Sequence, residues 1–579
     1  MKKEYILFAV NFKKREVLCL LSFSFLSKKV NTLIIASILL SVGSFVSCAS
    51  ASEIVAAPLN PLFVEWQKQI NEAKTSASEK ESTDSLGVDT SHGYAPSPVS
   101  WSHLENEVYS VIETTNKMRT TNPVSYDLRP EMPAVRNQDP FGTCWTFAAM
   151  AAAESNLIHE KKILTKDNAD LSEWYLAYYA FHDESDDLPS FTYDTKKKYY
   201  DVGGDDWKAA AMMTRGTGFL EESSAAYPLT TDAVYTPDVK ERKYKLKNVL
   251  YLGNLGVKEV KLKDSRKETI KEAIRTYGAV SIGIAQESDD YLSSSGAYFV
   301  TAAAKDPNHA VTIVGWDDNY ATSNFNVSPR PTSDGAWIVR NSYGKTWGAS
   351  GHYYVSYEEG SLNDGIVYET VAAPEKEMIY QYDPLGLCDF MEYPSVDPAY
   401  FANIFTASRN EKINSVSFYT SRPDSKCTVE IYKDCGNDPK GGTLVAEKSV
   451  TITAPGYNTV DLDSAVDISK YKKFSVVVSV SKSDLKAPAI PTEYPITKYS
   501  EKAKASAGQS FISSDGTTWE DLTGVEGYEN ANVCIKAFGT SDDDPADSGS
   551  SGNGCSTGPG MIILLTLTVL SFTFTGKKH

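Results

Sequence analysis

Three stretches in the middle of the chain have hydrophobic patterns that predict regular structure. Residues 144–156 are rich in alanine and apolar on nearly every side, which predicts a buried helix beginning at a cysteine. Residues 310–315 form a short run rich in β-branched side chains, and residues 336–340 are largely apolar, so we expect a strand at each. Pro61 begins an amphipathic segment that predicts another helix.

From about residue 377 to 540 the hydrophobic period changes to two. Apolar and polar residues alternate in short runs separated by Gly, Pro and Asp, which is typical of an antiparallel β-sandwich. These runs lie at 416–419, 428–431, 449–452, 474–480 and 533–536.

The N-terminal region, residues 1–51, predicts an export signal. Lys28 and Lys29 precede an apolar run at 30–46, and small residues follow it through Ala51. Secretory signals contain, in this order, positive charge, an apolar core and small residues at the cleavage site. A retained membrane helix and a lipid attached at Cys48 are the alternatives.

The C-terminal region predicts a flexible linker and an anchor. Residues 541–560 contain almost nothing that could be buried. Residues 561–575 are apolar and precede Lys577 and Lys578, so 561–579 could hold the protein at a membrane. The region resembles the C-terminal sorting signals of bacterial surface proteins, and a plain tail anchor is the alternative. We therefore expect an exported protein at the cell surface or outer envelope, anchored by this tail or released.

Composition excludes several classes of function. The net charge of −18 argues against electrostatic binding of nucleic acid or anionic lipid. Hydrophobic residues make up 41% of the chain, enough for packed cores. There are no metal-binding or nucleotide-binding motifs, so we expect neither a metal nor an organic cofactor.

Cysteine usage indicates nucleophilic chemistry. Eight cysteines in 579 residues do not make a disulfide framework, and Cys144 stands alone in a long stretch. Its position at the start of a helix favours the thiolate, and we expect it in a partly exposed cleft. His309 precedes the first predicted strand and Asn341 follows the second. Cys, His and Asn together can form a catalytic triad.

In this region the sequence resembles the papain-like cysteine proteases. The matching motifs, in order, are residues 123–129, Gln138 with Cys144-Trp145, 171–173, Gly203-Gly204, Tyr227-Pro228, 308–310 and 341–344 with Trp347-Gly348. The resemblance implies a triad of Cys144, His309 and Asn341, with Gln138 in the oxyanion hole.

The resemblance also implies substrate contacts. Gly203 and Gly204 would pair with an extended peptide, Tyr343 would shield the bond between Asn341 and His309, and Trp347 would complete the cleft. Tyr343 replaces the tryptophan usual in the family. Phe141 replaces a cysteine, so the usual disulfide beside the nucleophile cannot form.

The expected fold is therefore α+β: a two-lobed papain-like domain at 119–374, with a helical and a β lobe, followed by an all-β sandwich at 377–540. Residues 52–118 would be a propeptide that blocks the cleft, or a mere spacer. The sandwich resembles the lectin-like domains of some bacterial papain-like proteases, which implies a glycan ligand. The residues of the sandwich support a surface-protein ligand or a purely structural role equally well.

The favoured function is an envelope-tethered cysteine endopeptidase acting on peptide or protein substrates. Two alternatives remain at this point. One is a catalytically inactive papain-fold adhesin or binding protein, and the other is a transpeptidase of the same fold. The simultaneous presence of Gln138, Cys144, His309 and Asn341 favours catalysis.

Overall fold

The computed structural model describes two units of the chain, Met1–Glu53 and Ile54–His579. The described ranges are 4–12, 15–23, 54–77, 93–112, 121–182, 188–193, 198–228, 242–256, 260–288, 291–301, 303, 305–374, 376–481, 489–541 and 555–556. The predicted export signal at 30–46 and the apolar tail at 561–575 lie outside them. No helix within these ranges has both the length and the hydropathy needed to cross a membrane.

The first unit contains an antiparallel pair of strands, β1 (Glu4–Phe12) and β2 (Arg15–Phe23). The α-helices described in the second unit are α1 (Pro61–Ala77), α2 (Cys144–His159), α3 (Glu173–Phe181), α4 (Asp206–Thr214) and α5 (Val260–Tyr277). Single 3-10 turns occur at Ser102–Leu104, Arg129–Glu131, Tyr199–Asp201, Thr322–Asn324 and Leu522–Gly524.

Side-chain caps fix where two of these helices begin. Ser172 accepts a hydrogen bond from the Tyr175 N–H at the start of α3. Asp205 accepts hydrogen bonds from the N–H groups of Trp207 and Lys208 at the start of α4. Each cap satisfies N–H groups that the helix itself leaves unpaired. The helices predicted at 144–156 and from Pro61 are confirmed as α2 and α1.

The second unit is rich in strands. In chain order they are β3 (Val55–Ala56), β4 (Ser125–Asp127), β5 (Tyr244–Tyr251), β6 (Val280–Ile284), β7 (Ala297–Tyr298), β8 (His309–Asp317), β9 (Ala336–Arg340), β10 (His352–Ser356), β11 (Asn363–Ala372), β12 (Glu377–Tyr380), β13 (Asp389–Glu392), β14 (Ala399–Thr406), β15 (Glu411–Thr420), β16 (Ser425–Lys433), β17 (Thr443–Ile452), β18 (Gly456–Ile468), β19 (Lys473–Ser481), β20 (Ala489–Glu493), β21 (Ser510–Ser513), β22 (Glu520–Asp521), β23 (Asn532–Val533), β24 (Ile535–Thr540) and β25 (Cys555–Ser556). The strands predicted at 310–315 and 336–340 are confirmed as β8 and β9.

One long sheet runs through the whole unit. Its order is β25-β12-β24-β15-β18-β5-β11-β6-β8-β9-β10-β7, with β4 paired to β8. The other two sheets have the orders β23-β20-β13-β3 and β17-β16-β19-β14-β21-β22. The run at 533–536, which we expected as one strand, is divided between two sheets, because β23 pairs with β20 whereas β24 pairs with β15 and β12.

The long sheet crosses the boundary between residues 374 and 377. Gly456 and Tyr457 of β18 pair with Leu250 and Val249 of β5. The Lys247 ammonium lies 2.9 Å from the Asp461 carboxylate beside this junction. The papain-like region and the β-sandwich therefore share backbone hydrogen bonds as well as side-chain contacts.

Candidate active site

Cys144 lies at the first turn of α2, as the alanine-rich pattern predicts. Almost every residue of α2 is buried, because the helix is apolar on all sides and packs against β8 on one side and α3 on another. The Cys144 Sγ accepts a hydrogen bond of 3.3 Å from the Ala310 N–H. The thiol is therefore held against the start of β8, directly beside His309.

His309 and Asn341 come together because β8 and β9 are antiparallel neighbours. His309 is the first residue of β8, and Asn341 follows the last residue of β9. The His309 Nε2 lies 2.8 Å from the Asn341 Oδ1. Because an amide oxygen only accepts, Nε2 carries the proton, and Nδ1 is the nitrogen able to accept one from a thiol.

Tyr343 lies over the imidazole of this pair, and Trp347 packs against Tyr343. The Tyr343 ring stacks on the His309 ring with centroids 5.1 Å apart and planes inclined by 28°. Trp347 meets Tyr343 edge-on at 5.5 Å. The Tyr343 ring therefore contacts the imidazole directly, and His309 is fully buried.

Gln138 is held in place by hydrogen bonds of both its side chain and its backbone. Its Nε2 donates to the Phe141 carbonyl at 3.0 Å, and its Oε1 accepts from the Ser342 hydroxyl at 2.5 Å. Its backbone N–H donates to the Ser342 carbonyl, and its own carbonyl accepts from the Tyr227 hydroxyl. Ser342, the neighbour of Asn341, therefore links the predicted oxyanion residue to the His–Asn pair. Sequence reasoning did not assign this linking role to Ser342.

An aromatic cluster surrounds Phe141, the residue that replaces a cysteine of the disulfide usual in papain-like proteases. Phe141 packs against Trp174, Tyr200 and Tyr227, with ring centroids between 4.7 and 5.7 Å apart. The Tyr227 hydroxyl also lies 2.5 Å from the Thr143 hydroxyl, next to Cys144. Packing and hydrogen bonds thus stabilise the loop before Cys144.

Gly204 pairs with an extended backbone, but this backbone belongs to the chain itself, and Gly203 lies close to the same segment. The Ala95 N–H donates to the Gly204 carbonyl at 2.9 Å, and the Gly204 N–H donates to the Gly93 carbonyl at 3.1 Å. Tyr94 and Gly204 form a parallel bridge. Residues 93–95 therefore occupy the backbone positions predicted for a substrate.

Cys144 is fully buried in the presence of this segment. We expected Cys144 in a partly exposed cleft, but its exposure is 0%, which corrects that expectation. Gly93 is close enough to Gly142 that a side chain there would overlap the Gly142 backbone. Burial raises the pKa of the Cys144 thiol, and the Ala310 N–H opposes this effect. Burial of the thiol therefore opposes the stabilisation of the thiolate that the helix N-terminus provides.

A buried charge cluster includes Glu154 of α2. The Arg136 guanidinium lies 2.8 Å from the Glu154 carboxylate and 2.7 Å from that of Glu173, and it also contacts Asp170. Burial, together with the charge of Glu154, raises the pKa of Glu173 to about 8, although Arg136 opposes the shift. Arg136 and Glu173 line a cavity together with Arg340 and Asn341, so the cluster lies close to the predicted triad.

Replacing Gly204 by alanine is expected to destabilise the protein by about 1–3 kcal/mol. A Cβ atom at this position would lie 2.5 Å from the indole ring of Trp145, which is itself buried. Denaturant unfolding would measure the change. Gly524→Ala is the matched control, because a Cβ there meets nothing within 4 Å. Equal stability of the two variants would contradict the prediction.

Comparison with known proteins assigns both parts of the chain. Residues 122–373 match the papain family of cysteine proteases, and residues 379–539 match a lectin-like domain family. The chain carries a papain-family cysteine protease domain. The expected papain-like α+β fold with an appended β-rich lectin-like domain is thereby confirmed.

Two curated relatives match the papain-family domain. A cysteine protease of Blomia tropicalis is 28% identical, over 43% of this chain and 66% of the relative. Pro-cathepsin H of Mus musculus is 27% identical, over 42% of this chain and 63% of the relative. The match thus spans slightly less than two thirds of the length of either relative.

Two solved structures extend the similarity to both domains. The cysteine protease and lectin-like domains of Cwp84, a surface layer associated protein of Clostridium difficile, align with a TM-score of 0.67 and 23% identity, over 85% of this chain and 99% of that one. Clostridial Cwp84 after propeptide cleavage aligns with a TM-score of 0.60 and 25% identity, over 72% of this chain and 99% of that one. The papain-family domain and the lectin-like domain therefore occur together in a similar overall fold.

Proposed function

We propose that the protein is a surface-located cysteine endopeptidase that hydrolyses peptide bonds through Cys144, His309 and Asn341. The observation that carries the proposal is the 2.8 Å contact between the His309 Nε2 and the Asn341 Oδ1 at the end of β8 that holds the Cys144 sulfur. This contact assigns the two imidazole nitrogens to different tasks. Asn341 orients the ring, and His309 exchanges a proton with the thiol.

The reaction follows from these positions. His309 accepts the Cys144 proton, and the thiolate attacks the peptide carbonyl to form a tetrahedral intermediate. The Gln138 amide, held by Phe141 and Ser342, would donate a hydrogen bond to the developing oxyanion. The imidazolium then protonates the leaving amine as the C–N bond breaks. Water hydrolyses the resulting thioester and restores the thiol.

The same proposal includes a latent precursor. Residues 93–95 lie on Gly203 and Gly204, and Cys144 beneath them is fully buried. The segment runs parallel to the backbone at Gly204. We infer that residues 52–118 act as a propeptide and that their removal opens the cleft. Pro-cathepsin H and propeptide-cleaved Cwp84 are relatives whose names record a comparable precursor.

The proposed location is the cell surface. Cwp84 is described as a surface layer associated protein, and it shares the two-domain fold. A lectin-like domain next to the protease domain would suit an enzyme that works among glycans or other surface proteins. Nucleic acid is not among the proposed partners.

Removing the residues before Pro123 is expected to raise peptide hydrolysis at least about 100-fold, because a filled cleft admits no substrate. The test incubates the precursor and the shortened protein with a peptide library and identifies cleaved bonds by mass spectrometry. Cleavage at internal bonds would support an endopeptidase. Absence of any cleavage by the shortened protein would favour a non-catalytic binding protein, and ligated products would indicate a transpeptidase.

A further inference from the structure

The N-terminal segment contacts the lectin-like domain as well as the protease cleft. Val55 and Ala56 of β3 pair antiparallel with Glu392 and Met391 of β13. The Ala57 N–H continues this pairing with a 2.8 Å hydrogen bond to the Phe390 carbonyl. The segment therefore adds a strand to a sheet of the lectin-like domain before it reaches the cleft.

The first helix of the segment strengthens this attachment. Phe63 has an exposure of 0%, and its ring meets Tyr499 of the lectin-like domain edge-on at 5.7 Å. The Gln67 amide donates to the Thr497 carbonyl at 2.6 Å. Burial of a phenylalanine at such a boundary is among the larger stabilising contributions that one side chain can make.

The segment returns to the lectin-like domain after it leaves the cleft. The Trp101 ring is stacked on Tyr251 of the protease domain at 4.6 Å and meets Phe390 of the lectin-like domain at 5.5 Å. The His103 Nε2 lies 2.7 Å from the Ser421 carbonyl. The Arg422 guanidinium then lies 3.3 Å from the Glu107 carboxylate.

A bond within the segment connects its two attachments. The Asn60 amide donates to the Ser97 carbonyl at 3.0 Å, and the Asn60 N–H donates to the Pro98 carbonyl at 2.9 Å. The start of α1 is thus tied to the residues that follow the cleft-filling Tyr94. Loosening α1 from Tyr499 would also loosen the residues that cover Cys144.

We propose that the lectin-like domain carries the docking surface for the N-terminal segment, formed by β13, Tyr499, Ser421 and Arg422, and that this surface keeps the protease latent. The inference rests on the proposed function and specifies how its active site is regulated. The cleft-filling residues 93–95 are bracketed in sequence by contacts to this surface at 55–67 and 101–107. Both domains therefore keep the protease latent, and the contacts in the cleft supply only part of the binding free energy of the N-terminal segment.

The first test measures how fast a thiol-directed epoxide labels Cys144 in the full-length precursor. Phe63→Ala is expected to raise the labelling rate at least about tenfold, since weaker docking increases the fraction of molecules with an open cleft. Arg422→Gln is expected to raise it about threefold, as it keeps the packing and removes one ion pair. Val64→Ala is the matched control on the same helix, because Val64 is half exposed, and it should change the rate less than about twofold.

A second measurement separates docking from catalysis. In a Cys144→Ala precursor, which cannot process itself, an added protease should trim the segment at least about tenfold faster when Phe63→Ala is also present. Unchanged trimming and unchanged labelling in both docking variants would overturn the inference. Failure of the shortened wild-type protein to react with the epoxide would instead count against the proposed function. The trimming rates would still show whether the lectin-like domain docks the N-terminal segment.

Discussion

Replacing Cys144 by alanine is expected to lower peptide hydrolysis by the shortened enzyme at least about 10⁴-fold and to abolish epoxide labelling. The substitution removes the only atom in the site that can form the thioester. It should leave the fold intact, since the side chain is small and α2 is held by packing along its whole length. Activity assays with a cleaved peptide, together with thermal unfolding, would measure both effects.

Cys427→Ala is the matched control for this prediction. Cys427 is also a free, buried cysteine, but it lies on β16 in the lectin-like domain. The control variant should retain hydrolysis and labelling. If it lost both, or if Cys144→Ala kept them, a thiol other than Cys144 would carry the chemistry.

His309→Ala is expected to lower kcat by at least about 10³-fold, and Asn341→Ala by about 10–100-fold. The imidazole moves the proton in both halves of the reaction, so its loss removes general acid–base catalysis. Asn341 contributes a hydrogen bond that orients the ring, and one such bond is worth about 1–3 kcal/mol when its partner is left unsatisfied. Steady-state kinetics of the shortened variants would give the two ratios.

A buried asparagine away from the site provides the comparison. Asn458 lies in β18 and its amide donates to the Gly456 carbonyl. Asn458→Ala should leave kcat nearly unchanged even if it lowers stability. A larger loss of kcat in Asn341→Ala than in His309→Ala would reverse the roles proposed for these residues.

The sequence was sufficient to predict the elements that carry the site. An alanine-rich helix beginning at Cys144 and strands beside His309 and Asn341 follow from residue patterns alone, because each pattern is local. Their meeting in space did not follow from pattern. It came from the resemblance to papain-like proteases, whose motif order fixes which strands become neighbours.

Two features could not be predicted in detail because they depend on contacts between distant residues. The sequence indicated that residues 52–118 could block the cleft, but no local signal shows that residues 93–95 would pair with Gly204 above Cys144. The link between β5 and β18 joins residues about 200 positions apart. In both cases the partner is chosen by tertiary packing, which overrides local propensity.

The sheet that crosses from the papain-family domain into the lectin-like domain has a consequence for how the molecule can be divided. β5 is flanked by β11 on one side and by β18 on the other. A protein shortened at residue 374 would leave the Val249 and Leu250 edge without its partner, exposing apolar side chains and unpaired backbone groups. Such a fragment would tend to associate edge to edge, so the protease is best regarded as half of a jointly folded body.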